Sequence, residues 1–176
     1  ARLRERYGVD AQAMAADDRV FLLGEDIADP GASGPTAGLS TKYGHDRVLD
    51  TPISEAAIVG AAIGAAIDGL LPVAEIMIMD FIGIAADQLI NNAANVRYMS
   101  GGQYKVPVVF RGGNGIAHQL AATHSHRMES VYARIPGLIV VAPSTPAEAK
   151  GLLKSSIRCD DPVIFLESEK MLNEEG

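Results

Sequence analysis

The sequence predicts an α/β fold, with a mainly parallel sheet sandwiched by helices. Three observations predict it. Short runs at 71–77, 106–110, 138–141 and 162–166 are apolar on nearly every residue, as strands buried on both faces are. Segments of helical pattern separate them, which is the alternation that builds parallel sheets. The chain has 176 residues, 48% of them hydrophobic and 21% charged, which suits one domain of ordinary size.

Each element has its own local reason. Residues 2–16 form a polar helix, and 19–23 a short strand ending at Gly24. Residues 24–41 are rich in Gly, Pro, Ser and Asp and read as a long loop, of the kind that usually carries function. Val48 and Leu49 make a brief strand closed by Asp50, Thr51 and Pro52. Residues 55–67 form an apolar helix of small residues, stopped by Gly69, and 71–77 the next strand. Residues 81–99 have a helical pattern, with Asp80 as N-cap and Gly101 and Gly102 as the stop. The strand at 106–110 leads into a second glycine-bearing loop at 111–123, then a short helix at 125–134 and a strand at 138–141. Thr145, Pro146 and Glu148 spell a capping box for a helix running to about Arg158, and 162–166 is the last strand. The domain is expected to span 1–166. Residues 167–176, acidic and polar, read as the start of a linker to a further C-terminal domain.

Composition excludes several classes. Fifteen basic against 22 acidic residues give a net charge of −7, which disfavours nucleic-acid binding. The single cysteine, Cys159, cannot form an internal disulfide. The best candidate membrane span, 56–74, is interrupted by Asp68 and Pro72. A soluble cytoplasmic or organelle-matrix protein is expected.

Glu55 is the most informative residue. A carboxylate in a helix's first turn is favoured by the helix dipole, and that alone could explain it. The small apolar faces of its helix, however, imply deep burial. A buried carboxylate needs a donor or a nitrogen to protonate. Three of the four histidines, His118, His124 and His126, fall close together. They lack the cysteine or carboxylate spacing of a zinc site, so proton transfer or anion binding suits them better, with plain hydrogen bonding in a loop as the alternative. Phe81, at a strand's exit, is either core or a stacking platform for a planar ring. Gly112, Gly113 and Gly115 lack the spacing of a phosphate loop.

Taken in order, several segments carry a resemblance across nearly the whole chain. They are Val20-Phe21-Leu22-Leu23-Gly24-Glu25-Asp26, Asp50-Thr51-Pro52-Ile53-Ser54-Glu55, Asp87-Gln88 with Asn91, and Val106-Pro107-Val108-Val109-Phe110-Arg111-Gly112. His124-Ser125, Ile135-Pro136-Gly137-Leu138, Pro143-Ser144-Thr145-Pro146 and Ala149-Lys150-Gly151-Leu152-Leu153 continue it. The chain resembles the pyrimidine-binding domain of the beta subunit of thiamine-diphosphate-dependent 2-oxo acid dehydrogenases. That group includes the pyruvate, branched-chain and acetoin enzymes. The resemblance implies that Glu55 hydrogen-bonds the cofactor's aminopyrimidine, that Ile53 and Phe81 contact the cofactor, and that His124 serves acyl transfer to the lipoyl group of a second component. It also implies a potassium ion held mostly by main-chain carbonyls of Val108, Ser156, Ile157, Cys159 and Asp161. Magnesium and the diphosphate would belong to an alpha subunit, since this chain has no Gly-Asp-Gly. The assembly implied is a heterotetramer of two alpha and two beta chains. His126-Arg127 and His118 depart from the resemblance on the substrate side, and Cys159 stands where an acid is frequent. A fragment of another transketolase-like thiamine enzyme, or a non-catalytic assembly module, are the alternative readings.

Overall fold

The computed structural model describes residues 2–29, 32, 34–116 and 120–171. Its elements are α1 (Arg2–Ala16), β1 (Val20–Gly24), α2 (Leu39–Tyr43), β2 (Val48–Asp50), α3 (Glu55–Ile67) and β3 (Leu71–Ile78). They continue with α4 (Ala94–Met99), β4 (Val109–Asn114), α5 (Glu129–Tyr132), β5 (Ile139–Val141), α6 (Pro146–Ile157) and β6 (Val163–Ser168). The strands form one sheet in the order β2-β1-β3-β4-β6-β5. Every pairing is parallel.

The apolar runs are explained by the two layers of core. Alternate strand residues point to opposite faces. Phe21, Leu23, Ala74, Ile76, Phe110, Ile164 and Leu166 face one side, against Ile58, Val59, Ala62 and Ile63 of α3 and Leu89 beyond it. Val20, Leu22, Val73, Val109, Val163 and Phe165 face the other, against Val9 and Met14 of α1 and Leu153 and Ile157 of α6. With helices on both faces, most strand positions are apolar, and the exceptions include Glu75 of β3 and Arg111 of β4, which pair with each other.

Four local expectations are corrected. The segment 24–41 is not loop throughout, because a 3-10 turn at Gly34–Thr36 and the start of α2 lie in it. Residues 81–99 are not one α-helix. A 3-10 stretch covers Met79–Ala85, and a π-helical stretch covers Gln88–Ala93 before α4 begins. The Asn95 side chain donates to the Ile90 carbonyl at 2.8 Å, a contact that reaches back five residues and matches the wider turn. Asp80 lies inside the 3-10 stretch and makes no N-cap bond. The helix expected at 125–134 shrinks to α5.

The strand expected at 106–110 starts later and runs on through glycines. Val106 donates to Asp160 at 3.1 Å and Pro107 has no N–H to give, so ladder pairing begins only at Val109. Gly112 is required where it stands, since a Cβ there would lie 1.8 Å from the Ile76 carbonyl oxygen, beside the register shift in β3. The sheet also extends past 166, for Glu167 and Ser168 belong to β6.

The capping box forms with a shift. Thr145 accepts the Glu148 N–H at 3.2 Å, while the Glu148 carboxylate accepts from the N–H of Ser144 at 2.9 Å and its hydroxyl at 2.6 Å. Among the described residues, no helix is long and apolar enough to cross a membrane.

Candidate functional site

From β1 the chain moves outward to β2, then crosses back over β1 to β3. Such a reversal opens a crevice beyond the carboxyl ends of the strands. Three chain segments meet there. The first leaves β1 at Gly24, where a Cβ would come within 2.7 Å of the Glu75 carbonyl, so β1 and β3 approach closely. The second leaves β2, with the Thr51 N–H bonded to the Gly24 carbonyl at 2.9 Å and the Asp50 carboxylate accepting the Ile27 N–H at 2.9 Å. The third leaves β3 through Asp80 and Phe81.

Glu55 opens α3 at this edge. Its side chain is half-buried, which corrects the expectation of deep burial. The reason is that α3 buries only the stripe of Ile58, Val59, Ala62, Ile63 and Ala66, while Ala56, Ala57, Ala61 and Gly64 face outward. Sequence reasoning gave Glu25 no role, yet it lies beside Glu55. Burial first, then the charges of Glu55 and Asp26, raise its carboxyl above the ordinary range. One oxygen of Glu25 and the Thr51 hydroxyl are buried without a hydrogen-bond partner. The signal for Glu25 was available in its place, immediately after the Gly24 that ends a strand.

Phe81 is half-buried, and the His124 ring meets it edge-on, with centroids 5.1 Å apart and planes at 88°. His124 Nδ1 contacts the Thr123 hydroxyl at 2.7 Å. Ile53 is 78% exposed on the approach to α3. His126 pairs through Nδ1 with Asp80, another residue whose role the sequence did not reveal. His118 lies outside the described residues. The arrangement therefore offers a carboxylate, an aromatic face and an imidazole on adjoining segments. These suit a planar nitrogen heterocycle, since one edge can meet Glu55 while a face rests on Phe81.

The positions expected to hold potassium lie at the opposite edge of the sheet, at the end of α6 and before β4 and β6. The Val108 carbonyl accepts the Val163 N–H at 2.9 Å, and the Ser156 carbonyl accepts the Cys159 N–H at 3.0 Å. The Ser156 carbonyl also takes the Arg158 N–H, whereas the Val108 carbonyl keeps a second lone pair, and a helix C-terminus favours a cation, so main-chain ligation fits best at Val108. The Asp161 carboxylate is engaged by Arg97. Cys159 is half-buried against the core that contains Leu153 and Ile157. Among the described residues, no three His, Cys, Asp or Glu side chains gather to hold a metal.

Residues 9–175 match the family described as transketolase, pyrimidine binding domain. The chain belongs to this family. The pyrimidine-binding domain is 51% identical over 163 residues to the pyruvate dehydrogenase E1 component subunit beta of Gracilaria tenuistipitata var. liui, covering 92% of this chain and 50% of that protein. The mitochondrial pyruvate dehydrogenase E1 component subunit beta of Pisum sativum is 51% identical, over 92% of this chain and 45% of its own length. The beta subunit of acetoin:2,6-dichlorophenolindophenol oxidoreductase of Cupriavidus necator is 48% identical, over 94% of this chain and 52% of its own length. The chain thus spans about half the length of the curated relatives it matches. A solved split-gene transketolase, an inactive beta4 tetramer, superposes with a TM-score of 0.72 at 20% identity, covering 93% of this chain and 50% of that one, and it shares the fold.

Proposed function

We propose that this pyrimidine-binding domain is part of the beta subunit of a thiamine-diphosphate enzyme that oxidatively decarboxylates a 2-oxo acid. The acyl group passes to the lipoyl group of an acyltransferase component. The observation that carries the reading is Glu55, at the head of α3, beside the crevice that Phe81 and His124 line. When bound, thiamine diphosphate would supply a nucleophilic thiazolium carbon and a sink for the electron pair that departing carbon dioxide leaves behind. The protein's own residues do the rest. The Glu55 carboxylate holds a ring nitrogen of the aminopyrimidine and so sets its tautomer. Phe81 carries the ring's face, Ile53 covers its approach, and His124 serves the acyl-transfer step at the mouth of the same crevice.

The partners in this reading are an alpha subunit, which holds the diphosphate through magnesium, and a second beta subunit. The outward face of α3 and the exposed Ile53 and Ile84 supply apolar surface for assembly. A potassium ion is held at the end of α6 by carbonyls of Val108, Ser156, Ile157, Cys159 and Asp161. The protein works in the cytoplasm or an organelle matrix, and this chain alone is inactive without its alpha subunit.

The test is reconstitution of the full-length subunit with its alpha partner, assayed with pyruvate, branched-chain 2-oxo acids and acetoin. Carbon dioxide release from a 2-oxo acid that is lost in Glu55→Ala supports the reading. Turnover of acetoin alone would shift the substrate to a hydroxyketone, and full activity in Glu55→Ala would remove Glu55 from its role.

A further inference from the structure

We propose that the imidazole that moves a proton during acyl transfer is His126, oriented by Asp80, and that His124 positions the acceptor beside it; this rests on the function proposed above. The Asp80 side chain is almost fully buried, with 4% exposed, whereas the His126 side chain is 63% exposed. A single Asp80 oxygen, Oδ1, receives both the His126 backbone N–H, at 3.0 Å, and Nδ1 of its ring. The other oxygen, Oδ2, is buried without a partner, so among the described residues His126 alone answers this carboxylate. The His126 carbonyl is fixed as well, by the Gly115 N–H at 3.1 Å. The His126 backbone is thus fixed at its N–H and its carbonyl, and Asp80 holds the exposed ring at Nδ1.

The chemistry follows from which nitrogen is occupied. A carboxylate on Nδ1 keeps the proton there and presents Nε2 outward as the exchanging nitrogen. Among the described residues, no carboxylate supports His124 in this way. Its Nδ1 meets only the hydroxyl of Thr123, an exposed residue, and its ring stands against the edge of Phe81. The neighbouring Arg127 pairs its guanidinium with Glu129 at 3.1 Å.

The step assigned to His126 balances as follows. The former keto carbon attacks one sulfur of a dithiolane with the electron pair that carbon dioxide left on it. It then loses its hydroxyl proton to water as the carbonyl re-forms, and its bond to the carrier breaks with that bond's pair staying on the carrier. The carbon–sulfur bond forms and the sulfur–sulfur bond breaks. The acyl carbon is oxidised to the thioester, the disulfide is reduced, and its electron pair leaves on the second sulfur. Protonated Nε2 of His126 gives that sulfur its proton, and the imidazole is reprotonated from water.

The experiment uses the reconstituted assembly and two readouts. In His126→Gln, the ratio of acyl transfer to a lipoyl domain over carbon dioxide release falls about 100-fold, within the range for loss of a general acid. The transfer step loses the descending limb of its pH profile, and Asp80→Asn reproduces both changes in weaker form. Independently of activity, long-range proton–nitrogen correlation spectra show the neutral His126 ring protonated on Nδ1, a preference that Asp80→Asn removes. An unchanged ratio in His126→Gln, or a neutral ring protonated on Nε2, overturns the assignment. Failure of the wild-type assembly to release carbon dioxide from any 2-oxo acid overturns the function, and the assigned step with it.

Discussion

The guanidinium of Arg111 reaches the carboxylate of Asp10 at 2.8 Å, with 2% and 1% of the two side chains exposed. Its Nε also bonds Glu75 at 2.6 Å. A cation from β4 is thus placed between carboxylates from α1 and β3, with Glu167 of β6 near enough to influence all three. Burial works against the charge on Arg111, but Asp10 and Glu75 outweigh it and raise its pKa. Arg111→Met strands several carboxyl groups in the interior. Loss of one partner from a buried ion pair costs about 3–5 kcal/mol, so urea unfolding at pH 7 should show a fall of that size. A shift under ~1 kcal/mol would mean that the acids are neutral without Arg111.

The same cluster predicts how stability changes with pH. Burial raises Glu75 to about 7 against the opposing charge of Arg111, with Glu167 and Asp10 adding to the rise. The folded state then holds a proton that the unfolded chain has released above its ordinary carboxyl range near 4.5. Stability from this group is complete below that range and is lost as pH climbs through about 7. Urea midpoints should therefore decline between pH 5 and pH 7.5 by this route, in the range ~5–7.5 set by the two pKa values. In Glu75→Gln the decline should flatten, and a wild-type midpoint that rises across this range contradicts the assignment.

Most of the fold was legible because both faces of the sheet are apolar. The apolar runs at 71–77, 138–141 and 162–166 name β3, β5 and β6 to within a residue or two. The strand expected at 106–110 reaches only the start of β4, because the rest is Arg111, Gly112, Gly113 and Asn114, none of them strand-like alone. Their reasons lie far away in sequence: the carboxylates of Asp10 and Glu75 for the arginine, and the Ile76 carbonyl for Gly112. At the site, the local settings of Glu55, Phe81 and His124 leave more than one reading, and only the resemblance implies roles for them. Asp80 reads locally as a helix cap, because its pairing with His126 spans 46 positions and leaves no local pattern. Glu25 was passed over for the same reason, since only the fold brings it to Glu55.

Two glycines should respond in opposite directions. At Gly112 a Cβ meets backbone at 1.8 Å, whereas at Gly64 nothing lies within 4 Å. Gly112→Ala forces β3 and β4 apart and should cost more than about 4 kcal/mol, which is enough to unfold many domains. Gly64→Ala lies on the outward face of α3 and should add about 0.5–1 kcal/mol of helix stability. Thermal unfolding of the two variants checks both signs. In the reconstituted assembly, Gly64→Ala should also weaken association, because the added methyl occupies the face proposed to meet a partner.

The cap of α6 gives a smaller and more local prediction. Thr145 accepts the Glu148 N–H, and hydrogen bonds from Ser144 hold the Glu148 carboxyl below its ordinary range. Thr145→Ala removes one acceptor from the helix's unsatisfied N–H groups and should cost about 1 kcal/mol. Amide exchange in the first turn of α6 should quicken while exchange in β6 stays slow, which separates loss of the cap from general loosening.

Glu55 and Glu25 set the demands of chemistry against those of folding. Two carboxylates face the same crevice, and no arginine or lysine is paired with either among the described residues. Glu25 has its carboxyl raised chiefly by burial and next by the charge of Glu55, so removing that charge should lower it without restoring it fully. Glu55→Gln keeps the side chain's shape and takes away the repulsion. Carbon-13 titration of the Glu25 carboxyl should show the downward shift, and the urea midpoint at pH 7 should hold or rise. The same substitution should abolish carbon dioxide release in the reconstituted enzyme. Stability gained where activity is lost is what a catalytic carboxylate held at an energetic cost predicts. A midpoint that falls instead would show that Glu55 stabilises this edge, and its place at the head of α3 would then need only the helix dipole to explain it.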